Sequence, residues 1–314
     1  MPQIILHHYQ GSPFSEKIKL IFGYKNISWK SLEVLPIPPR PGLDPVFGNM
    51  RRIPVMQIGA DYFCDSRLIA DVIDHISPHN PLTEKHNNIV SALVSGWAEA
   101  RTFVAAGPVR FQTEEDIQNI FAGAVTSKAI RKDRFNVMSS VFNIENFASL
   151  KYSARDHMLA YLLLFEEMLS DGRNYLTGSH PCNADFSVYH LVWWLRSPPE
   201  ISDILDELPL ILAWSDRIAA VGYGDMVSIS IDDAILTATN SEPDTSWHTI
   251  WKTVEDIRLG KAVSIRADDY AQGPVSGTLV ASTTRHVTLE RVTPFGTVHI
   301  HFPKLGFEIT LSEI

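Results

Sequence analysis

Residues 49–73 read Asn-Met-Arg-Arg-Ile-Pro-Val-Met-Gln-Ile-Gly-Ala-Asp-Tyr-Phe-Cys-Asp-Ser-Arg-Leu-Ile-Ala-Asp-Val-Ile. A loop ending in Ile53-Pro54 leads into a short strand, a turn at Gly59-Ala60-Asp61 and a second short strand. Pro54 has no N–H, so it belongs at the first position or the edge of a strand, where no ladder donor is lost. Ser66 reads as the N-cap of a helix whose inner stripe is Leu68, Ile69, Val72, Ile73 and Ile76. The free N–H groups of such a helix start, with the positive end of its dipole, form a receptive site for a carboxylate. Taken alone, Pro54 is an edge-strand proline and Ser66 an ordinary cap. The residues upstream change that reading.

Residues 3–9 alternate as a strand, and Gln10-Gly11 makes the turn after it. Ser12 then caps a helix with Pro13 at its first position and Phe14, Ile18, Ile21 and Phe22 on its inner face. Residues 28–34 form a second strand, followed by a loop whose five prolines, Pro36, Pro38, Pro39, Pro41 and Pro45, cannot continue a helix. The order is β-α-β, then β-β-α, that of an α/β thioredoxin-like domain ending near residue 78.

With these residues in place, the chain resembles the cytosolic glutathione transferases. In that family a Val-Pro with a cis bond presents its backbone to the cysteinyl part of glutathione, and an acidic residue followed by Ser receives the γ-glutamyl end. Ile53-Pro54-Val55 and Asp65-Ser66 stand at those places here. A cis peptide is cheap only before proline, which is why Pro54 suits this geometry. The resemblance implies glutathione as co-substrate and a catalytic hydroxyl just after the first strand. Ser12 is its best match, with Tyr9 and Ser15 as alternatives. A free thiol has a pKa near 8.5, and a hydroxyl donating to the sulfur, helped by a helix N-terminus, favours the thiolate. As a residue before proline at a helix start, Ser12 is equally a cap. No cysteine lies in this stretch, so a mixed disulfide with glutathione cannot form there. The glycine carboxylate of glutathione needs a cation, for which Arg40, Arg51 and Arg52 are placed in the preceding loop. For the second substrate the candidates are Phe14, Trp97, Arg101 and Phe103, since Trp97 and Arg101 are i, i+4 on one helix face.

His79-Asn80-Pro81 reads as a linker, and residues 84–225 as an all-α domain of glutathione transferase type. Its clearest helices span 153–171, with Gly172 as the stop, 184–196, halted by Pro198-Pro199, and 209–221. The superfamily carries a Ser/Thr-x-x-Asp capping box in its core helix. Here Cys182 replaces the hydroxyl, so Asn183 or Asp185 is expected to carry the capping. The Trp193-Trp194 pair reads as core. Beyond residue 245 five strand-like runs, 262–266, 275–282, 286–292, 297–302 and 306–311, suggest an additional small all-β barrel, SH3-like or OB-like, over 245–314.

The rest of the sequence narrows the function. At 314 residues with net charge −9, the chain is large enough for these domains and too acidic for a general nucleic-acid binder. The tail from 245 onward balances seven basic against seven acidic residues, without the basic footprint of a nucleic-acid-binding barrel. Two cysteines and no charged leader point to a cytoplasmic setting, and no run is apolar enough to cross a membrane. His7 and His8 alternate across a strand, and His299 and His301 share a face without a third spaced ligand, so no metal is expected. The expectation is a glutathione transferase-like homodimer acting on a small electrophile. The competing expectation is a non-catalytic glutathione-binding or scaffold protein that uses its C-terminal module to hold a partner. A glutathione-dependent reductase or lyase would share the same site.

Overall fold

The first strand, β1 (Ile5–His8), is buried along its whole length because sheet continues on both sides of it. The computed structural model describes residues 2–83, 88–111, 114–121, 125–138, 147–196, 203–270 and 273–312. β1 pairs in parallel with β2 (Ser28–Glu33) and antiparallel with β3 (Val55–Ile58), which in turn pairs with β4 (Asp61–Cys64). Helix α1 (Pro13–Tyr24) connects β1 to β2, the four-residue α2 (Asp44–Phe47) lies in the proline-rich loop, and α3 (Ser66–Ile76) follows β4. This is the thioredoxin-like arrangement expected from the sequence.

The helical domain contains α4 (Asn88–Trp97), a π-helical turn at Ala98–Thr102, α5 (Phe103–Arg110), α6 (Glu114–Ile120) and α7 (Ser127–Met138). It continues with α8 (Phe147–Leu169), α9 (Asn183–Arg196) and α10 (Pro209–Ala219). Pro198-Pro199, expected to halt α9, lie outside the described residues. At the start of α9 the acceptor that Cys182 lacks comes from α4, whose Ser91 Oγ accepts from Ala184 N at 3.2 Å, while Asp185 holds the residues before the helix. The buried Asp185 carboxylate accepts from Cys182 N at 2.9 Å, Leu176 N at 2.8 Å and Trp214 Nε1 at 2.8 Å. Asn183 instead donates to Ser95 Oγ. Helices α1 and α9 pack together, and between them a fully buried Lys17 pairs with Glu99, which also accepts from Ser187 Oγ at 2.7 Å. Burial alone would raise the Glu99 pKa, but Lys17 beside it brings it down to about 2, so the carboxylate stays ionised.

After α10 the chain returns to the first domain, which the sequence reading did not foresee. β5 (Asp225–Ser228) adds in parallel to β2, and α11 (Ile231–Thr239), opened by a Ser230/Asp233 capping box, packs Ala234 against Ile5 and Leu32. A short 3-10 turn (Thr245–Thr249) then leads towards the C-terminal strands.

The five C-terminal strands lie where their alternation places them: β6 (Ala262–Ala267), β7 (Val275–Ser282), β8 (His286–Thr293), β9 (Gly296–Pro303) and β10 (Phe307–Leu311). The module is continuous with the sheet of the first domain: β9 pairs in parallel with β4, Asp61 opposite His299 and Phe63 opposite His301. The result is one ten-stranded sheet in the order β10-β6-β7-β8-β9-β4-β3-β1-β2-β5. The β4 edge, which would otherwise show unpaired backbone groups, is thereby covered.

Two main cores flank this sheet. One joins α1 and α3 to the helical domain through Phe22, Ile69, Phe186 and Trp214. The other packs the loop residues Leu43, Phe47, Met50 and Ile53 against Val263, Leu279, Ile300 and Phe302 of the C-terminal module. The loop that carries Pro54 is thus buried from behind by the module.

Where the module meets β4 lies a polar seam. Asp61 accepts from Asp244 N at 2.8 Å and shares a hydrogen bond with His301 Nε2 at 2.9 Å, and His299 Nδ1 stands 3.8 Å from the same carboxylate. Thr288 Oγ1 holds the other nitrogen of His301, whose ring stacks on Phe63 at 4.4 Å. Burial pushes the Asp61 carboxyl up to about 7 and His301 well below the ordinary imidazole range.

Candidate functional site

Three chain segments converge on one open cleft with an interior of about 90 Å³. The turn after β1 brings Tyr9 and Ser12. Gly11 in this turn has no substitute, because a Cβ there would lie 1.9 Å from the Ile120 carbonyl oxygen at the end of α6. Ser12 is the N-cap of α1, its Oγ accepting from Ser15 N at 3.2 Å. A hydroxyl has two lone pairs and one proton, so accepting from Ser15 leaves the O–H available to donate. Capping and thiolate contact, which compete as readings of the sequence, are therefore compatible in the structure.

The second segment is the loop before β3. Its Ile53–Pro54 bond is cis, as the resemblance implies, and both residues line the cleft. Val55 lies one residue further, fully buried as the first residue of β3, outside the lining.

The third segment is the start of α3, with one correction. The cap is Asp65, not Ser66: its carboxylate accepts from Arg67 N at 3.0 Å, and Ser66 is the first helical residue. Asp65 holds φ at +76°, a region that side chains other than glycine rarely adopt and that costs on the order of 1–3 kcal/mol. Asp65 and Ser66 both face the cleft.

The candidate cations divide. Arg40 is buried behind the loop, bound to Asp44 at 2.9 Å and to the Met50 carbonyl, and does not line the cleft. Arg51 and Arg52 do line it. Arg51 is paired with Asp133 of α7. Arg52 is shared between Asp65, at 2.9 Å, and Asp269 of the C-terminal module. Burial would lower the Arg52 pKa, but the carboxylates of Asp65 and Asp269 raise it, so the guanidinium remains charged between them.

Phe14 and Phe103 meet edge-to-face at 4.8 Å on the cleft wall. Trp97 and Arg101 do not join them and instead line a separate groove against α8, where Trp97 packs on Tyr161 at 4.5 Å. The i, i+4 pair does share a face, but the intervening π-helical turn shifts the register, so Phe103 points to α1 while Trp97 and Arg101 point to α8. Of the alternatives to Ser12, Tyr9 lines the cleft, its hydroxyl accepting from Arg134 Nη2 at 3.4 Å. Ser15 is buried away from the lining.

Three lining residues escaped the sequence reading: Arg134 and Val137 on α7, and Tyr270 in the connection between β6 and β7. None carries a motif. Gly273, two residues before β7, approaches the Asn49 carbonyl so closely that a Cβ would lie 2.3 Å from it, which holds this end of the connection against the loop that bears Pro54.

Residues 6–81 match the family model of the glutathione S-transferase N-terminal domain, and residues 110–217 that of the C-terminal domain. The chain belongs to the glutathione transferase superfamily. Among solved structures, a GST-like protein from Pseudomonas syringae is 28% identical with a TM-score of 0.78, over 99% of this chain and 100% of that one. Other glutathione transferases match the fold over a smaller share of this chain. One from Rhodospirillum rubrum is 12% identical with a TM-score of 0.54, over 69% of this chain and 88% of that one. A family member from Pseudomonas fluorescens, crystallised with two glutathione bound, is 15% identical with a TM-score of 0.51, over 70% of this chain and 91% of that one. A search of curated protein sequences finds no significant relative. The match to the Pseudomonas syringae protein thus takes in nearly the whole chain, module included, whereas the other two cover about 70% of it. No helix among the described residues is long and apolar enough to cross a membrane.

Proposed function

We propose that this glutathione transferase family member binds glutathione in the cleft and favours its thiolate for attack on a small electrophile. The observation that carries the reading is the convergence of Ser12, cis Ile53–Pro54 and Asp65–Ser66 on one cavity. The α3 start offers N–H groups to the γ-glutamyl carboxylate, the Pro54 loop offers backbone to the cysteinyl part, and the Ser12 O–H donates to the sulfur. In the reaction the sulfur lone pair forms the new S–C bond, and the leaving group departs with its electron pair. Each unit by which the thiol pKa falls corresponds to about 1.4 kcal/mol of preferential stabilisation of the thiolate. The interior of about 90 Å³ suits the thiol and its neighbours, with the peptide ends lying along the open mouth. The exposed apolar residues Ile89, Leu93 and Trp97 of α4, with Leu163 and Leu164 of α8, support the two-fold pairing common in the superfamily.

The test is calorimetric titration of glutathione into wild type and Ser12→Ala, with absorbance near 240 nm read on both complexes for thiolate. Binding with a thiolate signal that Ser12→Ala loses is the expected result. Binding without thiolate would move the protein to the non-catalytic scaffold reading, and no binding would remove both.

A further inference from the structure

We propose that the C-terminal module is a wall of the electrophile site, and that Tyr270 makes this site selective for planar aromatic acceptors. The inference rests on the glutathione reading above and adds the class of the second substrate.

Tyr270 is the one residue of residues 245–314 among the described cleft lining. Its ring lies 5.8 Å from that of Phe103, which meets Phe14 at 4.8 Å, so three aromatic rings from three regions of the chain border the same space as Ser12. Aromatic pairs at such centroid separations favour offset and edge contacts with a further flat ring. A small aliphatic electrophile gains little from them.

The position of Tyr270 is imposed by several contacts. The Arg52 guanidinium lies 5.0 Å from its ring centroid, and Arg52 Nη2 donates to the Tyr270 carbonyl at 3.3 Å. Asp269, one residue earlier, is ion-paired to the same guanidinium, and Phe307 of β10 contributes a second ring 5.2 Å from it. Gly273 seats the far side of the connection against Asn49. A residue tied to the site at so many points is part of its wall. Burial pushes the Tyr270 phenol up, so the ring stays neutral and carries no charge to repel an electron-poor acceptor's substituents.

Calorimetry with two probes separates this role from glutathione binding itself: S-methylglutathione, which fills only the peptide site, and S-(2,4-dinitrophenyl)glutathione, which adds the aryl group. For Tyr270→Ala the affinity for the aryl probe should fall about tenfold while S-methylglutathione changes by less than about twofold. Tyr270→Phe should keep the aryl preference, since the ring is what counts. An unchanged ratio of the two affinities, or an equal fall for both probes with a normal melting temperature, would overturn the proposal. Failure of wild type to bind S-methylglutathione would show that the parent reading is wrong, and the aryl wall would fall with it. Binding of S-methylglutathione without any aryl preference would overturn the wall alone.

Discussion

At one end of the cleft, Ile53, Pro54, Asp65 and Ser66 come from a single β-hairpin and the turns at its two ends, all within one short stretch of chain. At the other, Phe14, Phe103 and Tyr270 come from the first domain, the helical domain and the C-terminal module. The first end is held by backbone: a cis bond, a cap at positive φ and a helix start. The second is held by side chains packing across domains. The contrast teaches which part of such a site is fixed by local chemistry and which is open to change by adding a module. Arg52 joins the two, with Asp65 on one side and Asp269 and Tyr270 on the other.

The largest effect is therefore expected from Arg52→Ala, which strands two carboxylates at once. Removing one partner of such a largely buried cluster costs about 3 kcal/mol, measurable by urea unfolding, and glutathione affinity should fall in parallel. Arg52→Lys restores charge but not the fork that reaches both acids, and should recover only part of the loss. A stability within about 0.5 kcal/mol of wild type would show that the two ends are independent.

Next comes the seam that holds the module on β4. Asp61→Ala leaves Asp244 N and the buried His301 without their partner and should cost about 2 kcal/mol. Its pH dependence sharpens the comparison. Burial lowers His7 and His8 to about 4, and His190 and His286 to about 3, so below the ordinary 6.5 the unfolded chain takes up protons that the folded chain refuses. Stability from these imidazoles is fully present above 6.5 and is lost as the pH falls towards 4. Asp61 acts oppositely: with its folded pKa raised to about 7, it favours the folded state more as the pH falls from 7 towards 4. Four imidazoles outweigh one carboxyl, so the melting temperature should drop between pH 7 and pH 5. It should drop more steeply in Asp61→Asn, which lacks the opposing group. An identical slope in the two proteins would show that Asp61 is already ionised at pH 5.

The smallest effect on stability belongs to Ser12→Ala. Loss of a helix N-cap costs about 1 kcal/mol, visible as a modest shift in thermal denaturation, even where its effect on the thiolate is complete.

The difference between the two ends also explains what could be read from the sequence. The strand and helix starts around Pro54, Asp65 and Ser12 are governed by residues within four positions of each other, so their chemistry is visible in order along the chain. Only the identity of the α3 cap was misassigned, because Asp and Ser are both good caps and positive φ at Asp65 has no local signature. The five C-terminal strands were legible from period-two alternation, yet alternation does not say which edge a strand will pair with. The β9–β4 ladder and the return of β5 to β2 were hidden for that reason. Tyr270 was invisible for a related cause: an aromatic after Asp268-Asp269 looks like any turn residue until Arg52 is known to lie beneath it. For Arg40, the nearby Asp44 was a usable signal of a private ion pair, at i, i+4 on the same loop.

The ladder between β4 and β9 also sets an order of events during synthesis. Asp61 and His301 are 240 residues apart, and a chain grows at roughly 5–20 residues per second, so β4 waits on the order of tens of seconds for its neighbour to leave the ribosome. During that interval the first domain presents an open strand edge, the kind of surface that pairs with other nascent chains. A chain released before the final strands emerge would carry that edge permanently. The same late ladder makes residues 296–303 a checkpoint: only a chain that extends past them closes the sheet behind the loop that bears Pro54.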